Sequence, residues 1–198
     1  MIKLCCKIPP SLTVAVSGGP DSMALLDFCI SGRRDVNVLN FHHGTDFSEK
    51  AGDMVRDFCT AKGVSFNQVH IADKPSECKM SMEEYWSGVR RLRYEAVDGV
   101  VATGHNLDDA VEWWMMTCMR GSPRLMPVTN GTVTRPFLLT KKSELVEWCD
   151  RKSVPYIVDP TNLDGSNDRG KIREMMPLFE KVNPGIRTTI RNLYTSGL

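Results

Sequence analysis

The 198-residue chain holds seven cysteines (Cys5, Cys6, Cys29, Cys59, Cys78, Cys118 and Cys149) but no pair at Cys-x-x-Cys spacing. An odd count without close pairs gives poor support to a disulfide framework, a zinc site or a local iron–sulfur ligand pair, so reduced core and surface thiols are expected. No apolar run approaches the length of a membrane span, and residues 1–10 carry too short an apolar segment for a signal peptide. The expectation is a cytoplasmic protein with no membrane partner. No sign of charge dominates either: the formal net charge is +1 and the pI about 7.6, so no global signature of nucleic-acid binding is present. Internal repeats, low-complexity tracts and an obvious interdomain linker are also missing, which predicts one domain over residues 1–198. Two familiar phosphate loops are excluded as well. No Gly-Lys-Ser/Thr follows a glycine turn, and no Gly-x-Gly-x-x-Gly spacing exists.

What is present is a composition of 41% hydrophobic and 25% charged residues, enough for a full globular core. The informative segment is Ser17-Gly18-Gly19-Pro20-Asp21-Ser22. It lies between a short β-branched run, residues 12–16, that reads as a buried strand, and residues 23–30, that read as a helix for which Asp21-Ser22 supply the N-cap. Two glycines let the backbone approach a ligand and present successive N–H groups, and a helix N-terminus adds partial positive charge. Phosphate is the expected guest. Asp21 would repel a bare phosphate, so its predicted role is to hold a magnesium ion bridging to a nucleotide.

Strand and helix signals alternate along the rest of the chain. Strands are predicted over 36–41, 66–71, 100–103 and 133–139, with Pro136 placing the last at an edge or a strand start, and a further short strand over 156–158. Helices are predicted over 48–62, 82–97, 106–120 and 142–152, and over 171–193 with breaks near Pro177 and Pro184. This order predicts an α/β fold: a mostly parallel five-stranded sheet with helices on both faces, plus a helical C-terminal tail. Ligands of such sheets bind beyond the carboxyl ends of the strands, so the first loop, His42-His43 and His105 should share one rim. The tail over 171–198 reads as basic: residues 169–198 hold six basic and two acidic side chains, a local balance of +4. Such a face can track phosphates or be a solvated helix surface.

A second cluster is Thr103-Gly104-His105-Asn106-Leu107-Asp108-Asp109-Ala110-Val111-Glu112. If the helix includes His105, then His105, Asp108, Asp109 and Glu112 fall at i, i+3, i+4 and i+7 on one face. The residues themselves leave several readings open: metal binding, recognition of a cationic substrate, general-base work on an amine, or simple helix-dipole compensation with His105 as a packing residue.

Together these segments resemble the tRNA(Ile)-lysidine synthetases of the PP-loop ATP pyrophosphatase superfamily. Ser-Gly-Gly-x-Asp-Ser is similar to the PP-loop itself. His105, Asp108, Asp109 and Glu112 match the family's His-x-x-Asp-Asp-Gln-x-Glu-Thr, with Ala110 and Trp113 replacing its Gln and Thr. Phe41-His42-His43-Gly44 partly resembles His-x-x-His-Gly. Arg90-Arg91-Leu92-Arg93-Tyr94 resembles Ala-Arg-x-x-Arg-Tyr, and Arg120-Gly121-Ser122 and Arg135-Pro136-Phe137-Leu138 resemble Arg-Gly-Ser and Arg-Pro-Leu-Leu. Asp159-Pro160-Thr161-Asn162 with Arg169, Ile172 and Arg173 resembles Asp-Pro-Ser-Asn followed by Arg-Asn-x-Ile-Arg, Gly170 replacing the Asn.

The resemblance implies a Rossmann-like, adenine nucleotide alpha hydrolase-like fold in a single PP-loop catalytic domain, a short form lacking extra C-terminal domains. It implies a ligase that uses ATP and Mg2+ to adenylate the wobble cytidine of a CAU-anticodon isoleucine tRNA and joins free L-lysine to it. Ser17, Gly18, Gly19, Pro20, Asp21, Ser22 and His42 would bind ATP, with Asp21 on the metal. His105, Asp109 and Glu112 would bind lysine; Asp109, Glu112, Arg93 and Arg169 would be catalytic; Arg90, Arg91 and Arg173 would bind tRNA, in a monomer or a homodimer. A PP-loop thiolase, an amidating synthetase and a binding module without catalysis share parts of the pattern.

Overall fold

A computed structural model describes residues 1–158 and 168–196. The segment Asp159-Pro160-Thr161-Asn162, expected to contribute to the site, lies outside the described residues. Strand β1 (Ser11–Ala15) leads into helix α1 (Pro20–Ser31), then β2 (Asp35–His42), α2 (Asp46–Lys62), β3 (Ser65–His70), α3 (Met82–Glu95), β4 (Val101–Thr103) and α4 (Leu107–Met119). The chain continues through β5 (Thr129–Asn130), β6 (Val133–Thr134), α5 (Lys142–Lys152), α6 (Asp168–Val182) and α7 (Ile186–Thr195).

Among the described residues the sheet has six strands rather than the expected five, in the order β3-β2-β1-β4-β6-β5, and all pairs are parallel except β5 with β6. Alternation along β2 shows how both faces are filled. Val36 and Val38 join α1, α2 and α5 in one apolar cluster with Val14, Leu25, Leu26, Val55 and Leu145. Leu39 and Phe41, one residue out of phase, pack on the other face against Tyr85, Trp86 and Tyr94 of α3. A third cluster joins α4, α6 and α7 through Leu107, Val111, Ile172, Ile186 and Ile190. Leu25 and Leu26 are fully buried, so truncating either to alanine costs about 2–5 kcal/mol.

Four local expectations are corrected. Helix α1 is capped by Gly19, with Pro20 as its first residue, because proline's fixed φ and missing N–H suit that position; Asp21 sits in the first turn and not at the cap. The ladder of β6 stops at Thr134, since Pro136 has no N–H to donate, and β5, not β6, forms the edge. Residues 156–158 form no strand; the Ile157 N–H donates instead to the Gly18 carbonyl at 3.0 Å. Helix α6 runs through Pro177, held on both sides of it by Ile172, Met176 and Phe179 packed in the third cluster. The break falls between α6 and α7, around Pro184.

Candidate active site

The glycine loop leaves the carboxyl end of β1 in the middle of the sheet. Gly18 has φ +86, a conformation that L side chains rarely adopt, and a Cβ there would meet the Ala51 Cβ of α2 at 3.1 Å. The loop is closed on itself by Ser22, whose hydroxyl donates to the Gly19 carbonyl at 2.9 Å and accepts from the Ser17 N–H at 3.2 Å. Behind it stands Gly104. A Cβ there would lie 2.8 Å from the Asp21 carbonyl carbon and 2.9 Å from the Ser22 nitrogen, so the turn after β4 packs directly on the start of α1. Two segments far apart in sequence are thereby fixed as one unit.

Asn106 caps α4: its side chain accepts from the Asp108 and Asp109 N–H groups at 2.8 and 3.2 Å, and Asp109 Oδ2 accepts from the Asn106 N–H at 2.9 Å. The helix starts at Leu107, so His105 lies before it, and the condition for a shared face with Asp108–Glu112 is not met. Its Nδ1 instead faces the Thr103 hydroxyl at 2.8 Å. Burial pushes the imidazole down to about 4; Asp109 opposes the shift and Arg169, Arg135 and Arg90 reinforce it. His105 is therefore neutral near pH 7.

The carboxylates of α4 meet arginines of the C-terminal helices. Arg169 donates through Nε to Glu112 at 2.9 Å and through Nη2 to Asp109 at 3.0 Å. Arg173 grips Glu112 with both arms, Nε at 2.6 Å and Nη2 at 3.1 Å. Asp108 points elsewhere, to Arg187 at 2.7 Å. Burial would raise Asp109, but Arg169, His105, the Asn106 N–H and Arg173 outweigh it and hold the carboxyl below the usual range. Burial likewise works against the Arg173 charge, and Glu112 and Asp109 more than compensate.

Asp21 joins this group. Burial pushes its carboxyl up to about 6, Lys142 opposes the rise at 3.7 Å, and the charges of Asp109 and Asp108 add to it. Asn106 is close enough to favour the ionised form, yet Oδ1 is buried and makes no well-formed hydrogen bond among the described residues. Beside Asp21 lies a cavity of about 220 Å³, bounded by Asp108, Asp109 and Glu112 and by the cations Lys142, Arg173 and Arg187. That is below the about 300 Å³ of a drug-sized pocket, so it suits a small polar group and not a whole nucleotide.

Other expected residues are more scattered. His42 ends β2, accepts from the Gly44 N–H at 3.1 Å, and stacks on His70 at 4.5 Å. Arg90 is half-buried on α3 and acts on His105 and Tyr94. Arg91 and Arg93 are exposed; Arg91 lies 4.0 Å from Glu95, and no bond among the described residues links Arg93 to Asp109 or Glu112. Lys142 escaped the sequence reading. Its signal was position, at the start of a helix following the strand after α4, where its N–H reaches Asp108 at 2.8 Å. Ala110 is fully buried in the apolar cluster of α4, and Trp113 packs at its edge.

Comparison with known proteins places the chain among relatives. The tRNA(Ile)-lysidine synthase of Shouchella clausii is 32% identical over 206 residues, covering 91% of this chain and 43% of that protein. That of Chlorobaculum tepidum is 34% identical over 192 residues, covering 86% of this chain and 57% of its own length. The chain thus spans less than two thirds of either relative. Among solved structures, the U34-tRNA thiolase NcsA of Methanococcus maripaludis superposes with a TM-score of 0.72 at 20% identity, over 94% of this chain and 70% of that one, a likeness of fold. A PP-loop domain model matches residues 6–179, a range that takes in the glycine loop, the capped acids of α4 and Arg169 and Arg173, and the chain belongs to that PP-loop domain family.

Proposed function

We propose that this chain is the catalytic domain of an ATP-dependent tRNA-modifying ligase of the lysidine-forming kind. One observation carries the reading: Lys142 reaches Asp21 of the nucleotide loop through Nζ at 3.7 Å and Asp108 through its N–H at 2.8 Å, which puts an ATP site beside a cavity of amine size lined by three acids and three cations. The relatives named as tRNA(Ile)-lysidine synthases support the same choice.

In the first step the C2 oxygen of the wobble cytidine attacks the α-phosphorus of ATP, the α–β P–O bond breaks, and pyrophosphate leaves. The N–H groups of Gly18, Gly19, Asp21 and Ser22 at the N-terminus of α1 hold that pyrophosphate as its charge grows. Asp21 fits a magnesium ion, since a buried carboxylate oxygen without a hydrogen bond is a hard oxygen donor facing the loop. Such an ion supplies neutralisation of the phosphate oxygens. In the second step the lysine amine attacks C2, the C2–O bond breaks, and AMP leaves. Asp109 and Glu112 bind the ammonium and take its proton.

Arg169 and Arg173 already engage both carboxylates, so the amine must share or displace them. A carboxylate has about four acceptor positions, and sharing is open to Asp109. The arginines then stabilise negative charge on the departing AMP. A thiolase reading draws less support: among the described residues no three Cys, His, Asp or Glu side chains converge on a common point, and Cys29, Cys59 and Cys149 are in the core.

The test is to incubate the protein with ATP, labelled lysine and a CAU-anticodon isoleucine tRNA transcript. Label in the wobble base, with AMP release that needs both lysine and tRNA, is the expected result. ATP consumption with no label in the RNA overturns the reading.

A further inference from the structure

Arg135 follows β6 at the carboxyl edge of the sheet and has no acidic partner among the described residues. Its backbone is fixed, the N–H donating to the Val128 carbonyl at 2.9 Å and the carbonyl accepting from Cys5 Sγ at 3.0 Å. Of its guanidinium, Nη1 donates to the Pro127 carbonyl at 2.9 Å, while Nε is buried with no hydrogen bond among the described residues. The titratable groups that bear on it are the phenols of Tyr194 and Tyr94 and not a carboxylate, and burial lowers its affinity for the proton.

Arg90 is close by. Its charge and that of Arg135 act on the same two residues, Tyr94 and His105, and the Thr132 hydroxyl, donating to the Tyr94 carbonyl at 3.0 Å, ties the end of α3 to the strand that precedes Arg135. The contrast with the C-terminal arginines is plain, for Arg169, Arg173 and Arg187 all meet carboxylates. A partly buried cation with an unused donor is costly unless an anion completes it. Between β6 and the glycine loop of β1 stands β4, so the two sites are separated by about 10 Å.

We propose that Arg135 forms a second anion site that takes one phosphate group, either a phosphodiester of a bound RNA or the α-phosphate of a nucleotide reaching across from the glycine loop. The RNA source rests on the function proposed above; the anion site itself does not.

Binding of ATP and of a CAU anticodon stem-loop RNA to the full chain is measured for wild type, Arg135→Gln and Arg135→Lys over a range of salt. A phosphodiester site predicts that Arg135→Gln weakens RNA binding about tenfold and lowers the salt slope by about 1, with ATP binding unchanged and partial rescue by lysine. A nucleotide site predicts the loss in ATP binding alone. Unchanged binding of both by folded Arg135→Gln overturns the proposal. Should the variants fail to fold, phenylglyoxal modification of Arg135 in the wild type is followed by mass spectrometry; protection by RNA or ATP supports the site, and protection by neither overturns it. Lysine transfer is scored separately, so binding without transfer sinks the ligase reading while leaving the anion site standing.

Discussion

Glu112 and Arg173 form a two-armed ion pair across the α4–α6 interface, 2.6 Å and 3.1 Å long, with the Glu112 side chain only 6% exposed. Glu112→Gln keeps the shape and removes the charge, leaving Arg169 and Arg173 without a full partner. Because both arginines are about one third exposed, solvent relieves part of the loss, and the expected cost is about 1–3 kcal/mol. A urea titration reads this directly; a midpoint equal to wild type contradicts it.

Gly104 is the steric hinge of the site. Gly104→Ala puts a methyl against backbone atoms of Asp21 and Ser22, which cannot rotate away, so the start of α1 must shift. Expected are a loss of about 1–3 kcal/mol and ATP binding weakened about tenfold. Gly88→Ala in α3, with nothing within 4 Å of its new Cβ, is the control and should be neutral or stabilising by about 0.5–1 kcal/mol.

His105 gives a pH test with a definite sign. Its folded pKa, about 4, lies below the ordinary 6.5, so both states are neutral above that value and the residue contributes nothing to the pH slope there. As pH falls from 6.5 to 4 the unfolded chain takes the proton first, and the wild type loses up to about 3 kcal/mol that His105→Gln does not lose. Urea unfolding of both proteins at several pH values checks it; parallel slopes refute the assignment.

Asp109→Asn separates the two halves of the proposed reaction. The amide preserves size but loses the charge and the proton acceptor, so ATP binding should persist while lysine transfer falls at least a hundredfold. Asp21→Ala should do the reverse and weaken magnesium-dependent ATP use. Calorimetric ATP binding and label transfer, measured on both variants, distinguish the patterns; full transfer by Asp109→Asn removes it from the mechanism.

The legible part of this molecule was local. Strand β1, the loop and the body of α1 followed from a β-branched run, two glycines and an apolar helix segment, and α5 was found at its observed limits, residues 142–152. Misreadings arose where backbone hydrogen bonds go to distant partners. Residues 156–158 have a strand-like composition, but Ile157 spends its N–H on Gly18. The face shared by His105, Asp108 and Asp109 was open only to a helix that includes His105, and Asn106 takes the cap and leaves it outside.

From the sequence alone came the parallel α/β class, the phosphate-type loop at residues 17–22 and the acids of α4, because periodicity, glycine placement and residue chemistry act over a few neighbours. Only the tertiary structure decided which charges meet. That Arg169 and Arg173 close on Asp109 and Glu112, that Lys142 faces Asp21, and that Arg135 meets no acid among the described residues depends on how α5 and α6 dock on the sheet, and docking is settled by burial of apolar faces that carries no sequence address for its charged rim.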